Sequence, residues 1–179
     1  MSTRKPIGLF YGSSTCYTEF AGEKIRDAIN SIAGENIVDI FNIADTPIIE
    51  AAFYDHLIMG IPTWDYGELQ EDWEDIWEEI EDLELHGKTV ALYGLGDQLG
   101  YPEWFLDAMG YLHEKLKQQG ANFVGYWPTD GFQYEGSKAT TEDGKFFVGL
   151  ALDEENQFDK SEARINEWSN IILKDFGLC

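Results

Sequence analysis

A chain of 179 residues that is 44% hydrophobic and 15% aromatic carries enough apolar mass for a full core, which excludes disorder. Twelve basic against thirty-four acidic residues leave a net charge of −22, a field that repels nucleic acid and anionic membranes and attracts basic protein surfaces. Cys16 and Cys179 show neither metal-type spacing nor a disulfide framework, and the apolar stretch behind Arg4-Lys5 is too short for a signal peptide or a membrane span, so a reducing cytoplasm is expected.

The first predicted strand, Ile7–Tyr11, runs into Gly12 and a cluster of small hydroxylic residues. Ser13, Ser14, Thr15 and Thr18 supply four hydroxyls there. A helix follows at once, with Ile25, Ala28, Ile29 and Ile32 on one face. Its first turn adds unpaired backbone N–H groups and the positive end of the helix dipole. No Lys or Arg lies between Lys5 and Lys24. The pattern is that of a phosphate nest made of neutral dipoles, not of a nucleotide-hydrolysing loop, which needs a lysine and a magnesium ligand. A hydroxyl-rich N-cap with no ligand has the same composition.

A second strand is predicted over Ile37–Phe41, and Ala44–Phe53 gives at best a short, poorly patterned helix. The third strand, Leu57–Ile61, ends in Pro62, Thr63, Trp64, Asp65, Tyr66 and Gly67. Trp73, Ile76, Trp77 and Ile80 then predict a helix, whose acidic run Glu68, Glu71, Asp72, Glu74, Asp75, Glu78 and Glu79 reads as a solvated face or as a docking site for a basic partner. The fourth strand, Val90–Leu95, opens into Gly96, Asp97 and a glycine-rich turn up to Tyr101, and Phe105, Met109, Leu112 and Leu116 predict the next helix. The fifth strand, Phe123–Trp127, is interrupted by a polar, turn-rich insertion over Pro128–Lys145, after which Phe146–Leu152 returns to the same sheet edge. Ile165, Trp168 and Ile172 mark the last helix. Strict alternation of this kind predicts a doubly wound parallel α/β sheet in one domain spanning residues 1–179. His56, His86 and His113 share no motif spacing and read as surface or helix-end residues, and a thiolate at Cys16 would be opposed by a bound phosphate.

In open parallel sheets ligands sit beyond the carboxyl ends of the strands. Large aromatics in two such loops, Trp64 with Tyr66 and Tyr101, can stack on a flat ring while glycine backbones approach its polar edge; the alternative is that the rings simply cover the sheet end. G-L-F-Y-G-S-S-T-C-Y-T, G-I-P-T-W-D-Y-G-E-L-Q-E-D-W, A-L-Y-G-L-G-D-Q-L-G-Y, V-G-Y-W-P-T-D-G and G-L-A-L-D-E-E-N-Q together resemble the flavodoxin family over nearly the whole chain. The interrupted fifth strand is similar to its long-chain class, and the wording lies nearest the bacterial flavodoxin II branch. The resemblance implies a five-stranded sheet of order 2-1-3-4-5 and non-covalently bound FMN. It places Ser13, Ser14, Thr15, Cys16, Tyr17 and Thr18 on the phosphate. Trp64 would lie on the inner ring face and Tyr101 on the outer one, with Pro62 and Thr63 leading into the turn Asp65-Tyr66-Gly67 that answers flavin N5. Leu95, Gly96 and Asp97 would meet the pyrimidine edge, with Trp104 nearby and Glu155 toward the ribityl chain.

The function so implied is low-potential one-electron carriage, cycling between semiquinone and hydroquinone, with no catalytic turnover and no metal. A flavin-containing NADPH reductase would be the donor and reductively activated enzymes the acceptors, meeting a monomer. The competing reading is an FMN-dependent NAD(P)H or quinone reductase, which needs room over the flavin that Tyr101 fills. A phospho-receiver domain shares the strand order but needs an acidic pair where this chain has Gly12-Ser13. Two positions depart from the family pattern: many members have glycine where Cys16 stands, and some have glycine in the turn occupied by Asp65-Tyr66. A Cβ at Cys16 narrows the backbone choices of the nest, and without glycine a flip of the turn to positive φ costs more, by about 1 kcal/mol.

Overall fold

The structure, a computed structural model, describes residues 4–179. Strand β1 (Ile7–Tyr11) is buried along its whole length, as expected of a strand covered on both faces. It pairs in parallel with β2 (Val38–Asn42) on one side and β3 (His56–Trp64) on the other. Strand β5 (Thr89–Leu95) lies beyond β3 in parallel, and the two-residue β4 (Glu68–Leu69) folds back antiparallel on the end of β3. With β6 (Asn122–Val124) at the far edge, the order β2-β1-β3-β5-β6 is the expected flavodoxin-like 2-1-3-4-5 once β4 is set aside as a hairpin return.

The fifth position is filled by two short pieces. β6 (Asn122–Val124) pairs with Thr89–Ala91, and β9 (Leu150–Leu152) pairs with Tyr93–Leu95, so both lie parallel to the same edge strand. Trp127 does not continue β6: β7 (Trp127–Pro128) and β8 (Phe146–Phe147) form a separate antiparallel ribbon that closes the insertion. Phe147 is fully buried and packs with Phe132 and Tyr134 of the insertion around Phe105. The insertion thus has its own aromatic core.

Helix α1 (Tyr17–Ala33) buries Ile25 and Ile29 and ends on Gly34 at φ 76, a left-handed cap that glycine adopts without strain. The helix expected through Trp73 and Ile80 is not continuous. α2 covers only Glu71–Asp75, and a 3-10 helix runs over Trp77–Asp82. Eight of the twelve residues from Glu71 to Asp82 are acidic and none is basic, so like charges face one another at i and i+4 and the segment supplies no cation of its own to the C-terminal end of the dipole. Trp73 is fully buried with its indole N–H on the Gly60 carbonyl at 3.0 Å, an anchor that fixes the segment whatever its helical length. Ile48–Phe53 is likewise a 3-10 helix. α3 (Asp107–Gln118) begins after Phe105, which packs in the aromatic core instead, and α4 (Glu154–Asp175) bends at Gln157, whose φ is −137.

Two histidines differ from expectation, while His86 is exposed. His113 stacks on Phe123 at 4.0 Å and shares a 2.7 Å hydrogen bond with the Tyr126 hydroxyl; burial pulls it down to about 4. His56 packs on Phe176, and burial lowers it as well.

Candidate functional site

A cleft of about 220 Å³ opens beyond the carboxyl ends of β1, β3 and β5. Its lining joins Thr15, Tyr17 and Thr18 to Pro62, Thr63, Trp64 and Asp65, and to Leu95, Gly96, Asp97 and Tyr101. Three loops far apart in sequence therefore meet in one place, where the sheet topology puts ligand sites. A wider groove of about 700 Å³ lies past Gly67 against α3, but it offers carboxylates (Glu68, Glu74, Glu114) and a Lys115 already paired with Glu81 at 2.9 Å, not a set of converging donors.

At the hydroxyl end, Cys16 is the N-cap of α1 at φ 70, ψ −8, and its side chain caps nothing. The first helical bond runs from Phe20 N–H to the Cys16 carbonyl at 2.9 Å, so the preceding N–H groups face outward. The positive φ is the conformation for which glycine is the unstrained choice, and this chain holds it with a Cβ in place. Thr18 is buried, and its carbonyl accepts from the hydroxyl of Tyr93 at 2.9 Å. Tyr93 is fully buried on β5 and reaches α1 because Gly22 and Gly60 leave space for its ring, so a core residue sets the height of the helix N-terminus. Burial raises that phenol well above its ordinary value, which keeps it a neutral donor. Glu19, the one acid in the first turn, is engaged by the Tyr11 hydroxyl, a phenol pushed up to about 12 by burial and by that bond.

Ser13 Oγ is buried and has no hydrogen-bond partner among the described residues. A buried hydroxyl without a partner costs about 1–3 kcal/mol, and an acceptor placed in the loop would remove that cost. Ser14 differs: its Oγ accepts from Gln70 Nε2 at 3.0 Å. Neither Ser13 nor Ser14 is among the cleft-lining residues. Gln70, which sequence reasoning passed over, is buried at the N-cap of α2 and fits there because residue 12 is glycine.

At the aromatic end, Trp64 is 38% exposed and lines the cleft together with Tyr101. Tyr66 does not line it: it is 65% exposed and meets Tyr101 edge-on at 5.9 Å and Trp104 at 5.0 Å. Trp104 also stands outside the lining. Asp65 already occupies φ 41 and Gly67 φ 87, so the turn has adopted positive φ without a glycine at position 65. Aspartate tolerates this region better than most residues, which lightens the expected cost. The Asp65 carboxylate accepts from the Tyr101 hydroxyl at 3.2 Å and raises that phenol, tying the two loops across the cleft mouth. Thr63 Oγ1 accepts from Ala108 N–H at 3.0 Å, fastening the base of the loop to α3. Glu155 does line the cleft, together with Glu154, which the sequence reading did not single out. No cation lines the cleft, and among the described residues no group of His, Cys, Asp and Glu is arranged to hold a metal. What the arrangement can do chemically is hold a flat, apolar ring beside an anion.

The family model for Flavodoxin matches residues 9–168. The chain is 59% identical to Flavodoxin 2 of Salmonella typhi over 171 residues, covering 96% of each chain. It is 46% identical to a flavodoxin of Nostoc sp. (strain PCC 7120) over 174 residues, covering 97% of this chain and 99% of that one. Among solved structures it superposes on the Fusobacterium nucleatum flavodoxin bound to flavin mononucleotide with a TM-score of 0.87, at 33% identity and over 95% of this chain and 98% of the other.

Proposed function

The chain belongs to the flavodoxin family, and on that premise we propose that it is a one-electron carrier built on non-covalently bound FMN. The observation that carries the proposal is the pairing, in one cleft, of Trp64 and Tyr101 with a hydroxyl loop whose buried Ser13 Oγ lacks a partner among the described residues. The residues fit the cofactor. Ser13, Ser14, Thr15, Cys16, Tyr17 and Thr18 would hold the phosphate through hydroxyls and first-turn N–H groups. Trp64 and Tyr101 would flank the ring, and Pro62, Thr63, Asp65, Tyr66 and Gly67 would form the turn beside it. Leu95, Gly96 and Asp97 would bound its polar edge, with Trp104 supporting Tyr66. When bound, FMN supplies the one-electron chemistry.

The protein's own contribution is electrostatic. Asp65, Asp97, Glu154 and Glu155 line the cleft, so extra negative charge on the ring is disfavoured and the second one-electron potential is lowered. The protein transfers electrons without turnover of its own. As a redox carrier it has redox partners. A charge of −22 supports basic-faced ones, with a flavin-containing NADPH reductase as donor and reductively activated enzymes as acceptors. The same charge argues against nucleic acid and anionic membrane surfaces, and no helix among the described residues is long and apolar enough to cross a membrane. We assign residues 1–179 to one FMN-binding domain of a cytoplasmic monomer.

The test is a titration of apoprotein with FMN followed by flavin fluorescence. Stoichiometric quenching at one FMN per chain is expected. Fluorescence that stays that of free FMN at micromolar protein would overturn the assignment.

A further inference from the structure

Gln98 follows directly on the three residues assigned to the ring's polar edge, yet it turns away from the cleft and is 2% exposed. Its backbone N–H and its Nε2 both donate to Asp153 Oδ2, at 3.1 and 2.8 Å. Its Oε1 accepts from Gln133 N–H in the insertion. Asp153 is fully buried at the N-cap of α4, and its Oδ1 accepts from Asn156 N–H at 3.0 Å. Asn156 Nδ2 then bridges Asp153 Oδ2 at 2.9 Å and Asp97 Oδ1 at 2.8 Å. Asp97 Oδ1 also accepts from Leu99 N–H at 3.2 Å and Gly100 N–H at 2.7 Å, which closes the loop on itself. Gly96 N–H is held by the Leu152 carbonyl at 3.1 Å.

A buried carboxylate taking four N–H donors is an expensive thing to place in a core unless every donor is supplied, and here two of the four come from one glutamine. The donors arrive from residues 3 to 55 positions away, so the network extends the β5–β9 pairing past its end at Leu95 and Leu152 into the loop that follows β5. We infer that Gln98 and Asp153 are positioning residues for the cofactor: through their paired hydrogen bonds they fix the Leu95–Asp97 backbone at the distance the ring's polar edge requires. Neither side chain touches the cleft, since neither is among its lining residues. The inference rests on the FMN reading above and assigns the affinity for the ring, as distinct from the phosphate, partly to this pair.

Two variants test it. Gln98→Met keeps the side-chain volume and deletes both side-chain bonds, and Asp153→Asn keeps the shape and changes one acceptor to a donor that faces other donors. Dissociation constants are measured for FMN, riboflavin and inorganic phosphate, together with apoprotein Tm and amide hydrogen exchange at Gly96–Gly100. Both variants should weaken FMN and riboflavin by the same factor, about tenfold, while phosphate binding stays within twofold and exchange at Gly96–Gly100 accelerates. A lowered Tm with riboflavin affinity unchanged would make the pair merely structural and overturn the inference. Equal loss of phosphate and riboflavin affinity would overturn it too, as general loosening. Wild-type protein that binds neither FMN nor riboflavin would fail the FMN reading itself, a result distinct from either.

Discussion

The two ends of the cleft are built in opposite ways. The hydroxyl end is local: Ser13 to Thr18 are six consecutive residues running from the end of β1 into the first turn of α1, and the Tyr93 and Gln70 contacts come from elsewhere. The aromatic end is assembled: Asp65 is tied to Tyr101, Thr63 to Ala108, and Gln98 to Asp153 and Gln133, each across 35 positions or more. Neutral dipoles do the work at the first end and acidic side chains surround the second. The difference teaches that affinity can be written into a short motif, whereas the placement and potential of a redox ring depend on the whole sheet edge.

If the local end supplies affinity, removing the phosphate from the ligand has the greatest consequence. Hydrogen bonds to a charged group contribute about 1.5–3 kcal/mol each, so losing two or more makes riboflavin bind at least about a hundredfold more weakly than FMN. Comparable dissociation constants in phosphate-free buffer would remove the hydroxyl loop from the site. At the other end, Trp64→Ala and Tyr101→Ala should each weaken FMN by about tenfold or more and shift both flavin potentials. Trp64 is the last residue of β3 and Tyr101 sits in a loop, and both rings are partly exposed, so apoprotein Tm should hold. A large Tm loss in Tyr101→Ala would mean that the ring covers the sheet end instead.

The same contrast decides what was legible in the sequence. β1, α1 and the hydroxyl loop could be read because their pattern is contiguous: an apolar run, small hydroxylic residues, then a 3.6-residue stripe. The parallel sheet followed from the alternation, and its strand order from the family resemblance alone. Trp73 to Ile80 misled, because its apolar spacing is helical while its charge is not, and the structure breaks there into α2 and a 3-10 helix. Phe105 fitted the stripe of α3 and serves the insertion's core instead. Tyr66, in the turn Asp65-Tyr66-Gly67, is exposed and meets Tyr101 and Trp104 edge-on. Gln98, Asp153 and Gln70 stand inside the quoted motifs, yet nothing local names the distant partner that each one satisfies. A polar residue that satisfies a distant buried partner looks, in one sequence, like any other loop residue.

Smaller effects probe each end separately. Cys16 holds φ 70 without glycine, at a cost of about 1 kcal/mol net of glycine's own entropy. Cys16→Gly should therefore raise apoprotein Tm by about 2–4 °C, and a fall would show that the Cβ is supported by contacts. Far from the cleft, His113 stays neutral down to about pH 4 in the folded chain, against 6.5 for an ordinary histidine. Its pKa is depressed on folding, so the unfolded chain binds the proton first, and stability should fall as pH drops from about 6.5 toward 4. His113→Phe should flatten that part of the curve by a modest amount, since the ring is only partly buried. An unchanged slope between pH 6.5 and 5 would assign the dependence to other groups.

Carrier and enzyme part most cleanly in an anaerobic mixing experiment with NADPH, following flavin bleaching in the FMN-loaded protein. Tyr101 stands over the cleft and the surface carries −22, so no bleaching is expected from NADPH alone over minutes. Adding a catalytic amount of a flavin-containing NADPH reductase should bleach the flavin. That rate should fall as salt rises and the screening length shortens to about 8 Å at physiological strength. Bleaching within seconds without the reductase would contradict the carrier assignment and make the protein an NADPH-dependent reductase.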